Sequence, residues 1–175
     1  MRAVRRPTLI LEGVDCSGKT TLAHEIQKRW DCKYLHVKQA PKRTDTLVHF
    51  IKAISNLSNS VPTVIDRLHW SEQVYANILR QDSLLSDRDF GVIDGYMMAN
   101  RGIFVLCKPS WNAVYSKVIE SFEHENHNSY TAGEIYQEYC KPPRTVLPII
   151  EYDYEHDTVD ELLKKAQMCM EGFYE

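Results

Sequence analysis

The chain has 175 residues, 43% of them hydrophobic and 26% charged, an ordinary globular composition long enough for one domain with a full core. A formal net charge of -3 argues against nonspecific nucleic-acid binding over the whole surface, although "MRAVRR" at the start and "KQAPKR" at Lys38 to Arg43 are local basic clusters. Five cysteines without a C-x-x-C pair are neither a zinc pattern nor a disulfide framework and point to a reducing, cytoplasmic setting; with no apolar run near about 18 residues, no membrane partner is expected.

The first predicted strand, Thr8 to Glu12, is short and apolar, and "GVDCSGKTT" follows it directly. Gly13, Gly18, Lys19 and Thr20 fill every fixed place of G-x-x-x-x-G-K-[ST], between that strand and a predicted helix over Lys19 to Trp30. The glycines let the backbone wrap phosphate oxygens with its N–H groups, and the helix start adds its positive end. Lys19 then neutralises the beta and gamma phosphates, and the Thr20 hydroxyl is placed to ligate Mg2+. Gly13, Ser17, Gly18, Lys19, Thr20 and Thr21 are therefore the expected nucleotide-binding residues, with ATP as co-substrate and Mg2+ as its metal. The motif alone does not separate kinases from GTPases, helicases or transporter ATPases.

A second strand is predicted over Lys33 to Lys38, a helix over Thr44 to Leu57 and a third strand over Pro62 to Asp66. "DRLHWSEQVY" follows. At the carboxyl end of a parallel strand, Asp66 and Arg67 face the same crevice as the phosphate loop. Asp66 is expected to hold Mg2+ or orient the acceptor, and the Arg67 fork to bind phosphate oxygens. The alternative is a structural Asp66-Arg67 ion pair closing the strand.

Helices are predicted next over Ser71 to Arg80 and Leu84 to Met98, then a strand over Gly102 to Cys107 and helices over Ser110 to Phe122 and Ala132 to Tyr139. A strand over Thr145 to Glu151 and a helix over Thr158 to Glu171 complete the chain. Alternating strands and helices predict an α/β fold of the P-loop NTPase class: a five-stranded parallel sheet with helices on both faces, in one kinase domain over residues 1–175. The polar segment at about 123–131 is placed as a lid, and "EHENH" within it has no partner elsewhere for a metal site.

These residues carry a resemblance. "EGVDCSGKTT" resembles the thymidylate kinase form of the phosphate loop, E-G-x-D-x-x-G-K-T-T, and "DRLHWSEQVY" resembles that family's D-R-[YW]-x-x-S-x-x-x-[YF]. Phage-encoded members of the group also show H-x-x-x-x-P, here "HVKQAP", and a terminal Y-D-Y, here Tyr152 to Tyr154. The resemblance implies that Asp15 reaches a sugar hydroxyl of a nucleotide acceptor and that Arg67 bridges the two substrates. It places Ser71 and Tyr75, which four residues apart share a helix face, in the acceptor pocket, and Arg80, five residues after Tyr75, reaches the same pocket only if the helix ends first. The departures are a lysine, Lys108, where the family has an acid after the fourth strand, and the absence of any arginine from Gly102 to Pro143, so the usual lid chemistry is missing. Lys108, Lys117 and Arg144 are the remaining candidates to compensate charge.

The leading expectation is an ATP- and Mg2+-dependent kinase acting on a deoxynucleoside monophosphate. The alternative acceptor is a hydroxyl on a modified base in DNA, which needs an extruded base and for which "KQAPKR" speaks. A GTPase-like switch is disfavoured, because N-K-x-D is absent and "DRDFG", Asp87 to Gly91, set against the D-x-x-G of such switches, follows no strand.

Overall fold

The computed structural model describes residues 6–38, 45–57, 61–79, 84–122 and 129–174. Arg80, most of "KQAPKR" and most of the 123–131 segment lie outside the described residues.

Five strands, β1 (Thr8–Glu12), β2 (Lys33–His36), β3 (Thr63–Asp66), β4 (Gly102–Cys107) and β5 (Ile149–Tyr152), form one parallel sheet in the order β2-β3-β1-β4-β5. The helices are α1 (Lys19–Arg29), α2 (Thr46–Ile54), α3 (His69–Leu79), α4 (Asp87–Ala99), α5 (Trp111–Phe122), α6 (Ser129–Tyr139) and α7 (Val159–Tyr174). The fold is the α/β architecture expected, with β1 in the centre between β3 and β4, so the loop that follows it opens at the carboxyl edge in the middle of the sheet.

The period-two alternation of β1 divides the core. Leu9 and Leu11 pack with Leu22 and Ile26 of α1 and Leu162 and Ala166 of α7, while Ile10 faces the opposite layer with Phe50 of α2, Val74 of α3, Ile93 of α4, Val114 of α5 and Ile135 of α6. Every β1 side chain is buried, and truncating one such aliphatic side chain to alanine costs about 2–5 kcal/mol. Among the described residues no helix is long and apolar enough to cross a membrane.

Several boundaries differ from the sequence expectation, and three of them have clear local reasons. Helix α4 begins at Asp87, not Leu84, because Ser86 caps it: its hydroxyl accepts from Asp89 N while Asp89 accepts from Ser86 N. The "DRDFG" stretch is thus the opening of a helix. Helix α3 begins at His69, two residues early, because Glu12 Oε1 accepts from the Leu68 and Ser71 N–H groups and organises its first turn. Strand β5 begins at Ile149 rather than Thr145. The N–H of Val146 goes to Asp94 Oδ2 and that of Leu147 to Thr145 Oγ1, and Pro148 has none to give, so Thr145 to Leu147 cannot join the ladder.

Candidate active site

The loop between β1 and α1 is shaped by its glycines. A Cβ on Gly13, at φ 153°, would lie 2.5 Å from the Cys107 carbonyl oxygen; on Gly18, at φ 83°, it would meet the Tyr154 ring at 3.0 Å. Gly18 is the left-handed residue from which α1 starts, with no side chain capping it, so the first N–H groups of the helix face the loop. Lys19, 5% exposed, donates to the Val14 carbonyl at 2.6 Å and to Ser17 Oγ at 3.4 Å. Burial, then the nearby Arg67 charge, pull its pKa down to about 8.

Across the loop stands the end of β3. Asp66, 1% exposed, accepts from Thr20 Oγ1 at 2.8 Å and Tyr34 OH at 2.9 Å, both on Oδ2; its Oδ1 is buried with no hydrogen-bond partner among the described residues. His36 Nδ1 lies 3.6 Å from Oδ2. A hydroxyl and a carboxylate with an unused oxygen are a hard oxygen pair of the kind that holds Mg2+.

Arg67 does not pair with Asp66. Its backbone is left-handed, φ 68°, held by Arg67 N donating to Leu11 O and Leu68 N donating to Glu12 Oε1. That turn sends the guanidinium to Asp15 Oδ1, to Tyr75 OH at 3.1 Å and to Ser71 Oγ at 3.3 Å, while Tyr75 OH donates to Asp15 Oδ2 at 2.7 Å. Burial raises the Tyr75 pKa, so its hydroxyl keeps its proton and remains a donor to Asp15. The structure thus gathers Asp15, Arg67, Ser71 and Tyr75 in one network.

Two cavities meet here. One, of about 390 Å3, is lined by Gly18, Lys19, Thr20, Thr21, Asp66 and Lys117 among others; the second, of about 430 Å3, by Phe50, Leu68, Ser71, Glu72, Tyr75 and others. Asp15, His36 and Arg67 line both.

Of the three remaining cations, only Lys117 is brought to the phosphate-loop cavity, its Nζ 3.8 Å from the centre of the Tyr154 ring. Lys108 lies 3.7 Å from Glu151 and Arg144 2.8 Å from Asp87, neither on the wall of these two cavities. Among the described residues no group of three His, Cys, Asp or Glu could hold a metal.

Sequence reasoning assigned no role to Glu12. It is fully buried at the end of β1, and its Oε2 accepts from Ser71 Oγ and, at 3.4 Å, from Tyr139 OH. One carboxylate thereby joins the strand before the phosphate loop, the start of α3 and helix α6. Its signal was a charged residue at the last position of an otherwise apolar strand.

No family model matches the chain, and no curated protein matches it by sequence. Solved structures do. The YorR protein of Bacillus subtilis, crystallised in complex with phosphorylated GDP, superposes with TM-score 0.74 at 20% identity over 96% of this chain and 99% of that one. A deoxyadenosine kinase from M. mycoides with bound dATP gives TM-score 0.64 at 14% identity over 91% and 98% of the two chains. A thymidylate kinase from Candida albicans gives 0.52 at 14% identity over 96% and 92%. At these identities what the chains share is the fold, and two of the three are named as kinases.

Proposed function

We propose that this protein is a kinase that transfers the terminal phosphoryl group of ATP to a deoxynucleoside monophosphate. The observation that carries the reading is the common wall of the two cavities: Asp15 and Arg67 line both, one cavity built on the phosphate loop and the other on apolar and aromatic side chains. The named similar structures, a deoxyadenosine kinase and a thymidylate kinase among them, support it.

The chain's residues divide the work. Backbone N–H groups of the loop and Lys19 hold the beta and gamma phosphates of ATP. Thr20 and Asp66 would hold Mg2+, which would supply charge neutralisation on those phosphates. Arg67 lies against the phosphoryl group in transit and the acceptor phosphate together, with its fork oriented by Asp15, Ser71 and Tyr75. Lys117 supplies the cation that a lid arginine provides in the resembled family. An acceptor oxygen attacks phosphorus in line, its new bond forming as the bond to the ADP oxygen breaks, so the protein positions and neutralises.

Labelled ATP and Mg2+ with a panel of deoxynucleosides, their monophosphates and oligonucleotides bearing hydroxymethylated bases tests the reading. Label on a monophosphate is expected. Label only on an oligonucleotide transfers the assignment to a DNA base hydroxyl, and no label on any acceptor overturns the kinase.

Two substitutions separate the roles. Thr20→Ala is expected to raise the Mg2+ concentration giving half-maximal transfer by about tenfold, the loss of one contact to a charged partner. Metal-free nucleotide binding should stay as it was; its collapse would give the hydroxyl a different task. Asp15→Ala is expected to raise the acceptor KM or lower kcat about tenfold with little effect on ATP binding. Equal losses for both substrates would reduce Asp15 to support of the loop.

A further inference from the structure

The acceptor cavity has a charged wall that phosphoryl transfer does not use. Asp15 and Arg67, common to both cavities, mark where the reacting end of an acceptor lies; Phe50, Leu68, Glu72 and Leu79 line only the acceptor side and so face the rest of the molecule. Glu72 is 5% exposed, in a wall shared with Phe50 at 2% and Leu68 at 1%. It precedes Tyr75 and Leu79 by three and seven residues on α3, the spacing of one helix face. A carboxylate taken out of water needs N–H or O–H donors, and a carbonyl oxygen set against it is repelled. Glu72 also interacts within its own chain, and the roughly four acceptor sites of a carboxylate leave room for a ligand as well.

We propose that Glu72 selects the base of the acceptor and that the base it selects is guanine. The inference rests on the kinase reading above, which puts a nucleotide in this cavity. Guanine carries N1–H and N2–H2 side by side, so both carboxylate oxygens accept in two parallel hydrogen bonds. Cytosine and adenine offer one amino group beside a ring nitrogen whose lone pair opposes the second oxygen. Thymine and uracil hold their single N–H between two carbonyl oxygens, so the carboxylate meets partial negative charge on either side. Phe50 and Tyr75 supply aromatic surface for the ring, and a cavity of about 430 Å3 is of the size that takes small ligands. The chemistry of the wall thus departs from thymidylate, the acceptor that the motif resemblance suggests.

The test is calorimetric binding of dGMP, dCMP, dAMP and dTMP, and of the four unphosphorylated deoxynucleosides, to the unmodified protein and to Glu72→Gln. It needs no turnover. The guanine ligands are expected to bind tightest, by about tenfold to a hundredfold over thymine, the margin of a good bidentate contact to a base. Glu72→Gln should lose most of that margin with ATP affinity unchanged, because the amide turns an N–H toward one of guanine's donors. Glu72→Asp keeps the charge with shorter reach and should keep the ranking at weaker affinity. A preference for thymine, equal affinities, a ranking unchanged in Glu72→Gln, or no binding of any of these ligands overturns the assignment. Transfer from ATP is assayed on the same preparations. Transfer to thymine acceptors as readily as to guanine would sink the role of Glu72 and leave the kinase standing, whereas guanine-selective binding with no transfer would do the reverse.

Discussion

Lys19→Ala is expected to lower single-turnover phosphoryl transfer about 1000-fold, the upper range for removing one preorganised donor from a developing charge. Lys19 is buried, and with its pKa held down to about 8 its ammonium is less favoured than in water. The Val14 carbonyl and Ser17 hydroxyl are weak compensation for that charge. The beta and gamma phosphates of ATP offset it far better, and the charge that builds between them as the bond breaks offsets it further. Alanine therefore removes a contact that strengthens along the reaction, and kcat falls more than ATP affinity. The side chain also braces the loop through Val14, so the melting temperature must be read on the same preparation. Lys19→Met, which restores most of the volume without the charge, should match the alanine variant in rate and exceed it in stability. Transfer within about threefold of the unmodified protein in either variant would remove Lys19 from the site.

The phosphate loop was legible in sequence because its geometry leaves little choice of residue. Gly13 sits against a neighbouring strand's carbonyl and Gly18 against Tyr154, so the spacing of the glycines records the fold directly. The strands themselves were legible from apolar runs, and their parallel sense from the helices between them. Their order was not: that β1 lies between β3 and β4 depends on which surfaces meet, and no local pattern in the chain encodes it. The partners of Asp66 and Arg67 were hidden for a related reason. Adjacent in sequence, they invite pairing with each other, yet the left-handed turn at Arg67 sends its side chain to Asp15 while Asp66 faces Thr20 and Tyr34. Glu12 is a similar case, since its bonds to Leu68, Ser71 and Tyr139 span 56 to 127 residues of chain. The misjudged start of β5 shows the limit of propensity: Thr145 to Leu147 read as strand, but Asp94 of a distant helix takes the Val146 N–H that a strand needs.

Arg67→Lys is expected to lower kcat and kcat/KM together by about 100- to 1000-fold, roughly 3–4 kcal/mol, with ATP affinity nearly unchanged. The sign of the field survives this change; its geometry does not. In the structure Nη1 and Nη2 are aimed by Ser71, Tyr75 and Asp15, and the whole fork lies over the Tyr75 ring, 5.0 Å from its centre. An ammonium has no planar fork to be oriented this way, and its compact point charge does not reproduce the two fixed, parallel donor directions of the guanidinium. The backbone is no obstacle, because lysine and arginine meet the same strain at φ 68° and the bonds from Arg67 N to Leu11 and from Leu68 N to Glu12 do not involve the side chain. Loss of the pairing to Asp15 costs little stability, since that carboxylate is 56% exposed and water replaces the guanidinium. A catalytic Arg67 therefore predicts a slow enzyme that melts near the temperature of the unmodified protein. If instead the residue only ties Asp15 and Tyr75 into the fold, the variant melts lower and its surviving folded fraction turns over normally. Single-turnover rate and melting temperature measured on one Arg67→Lys preparation separate these outcomes, and a stable variant of full activity would leave the bridge between the two cavities without its central residue.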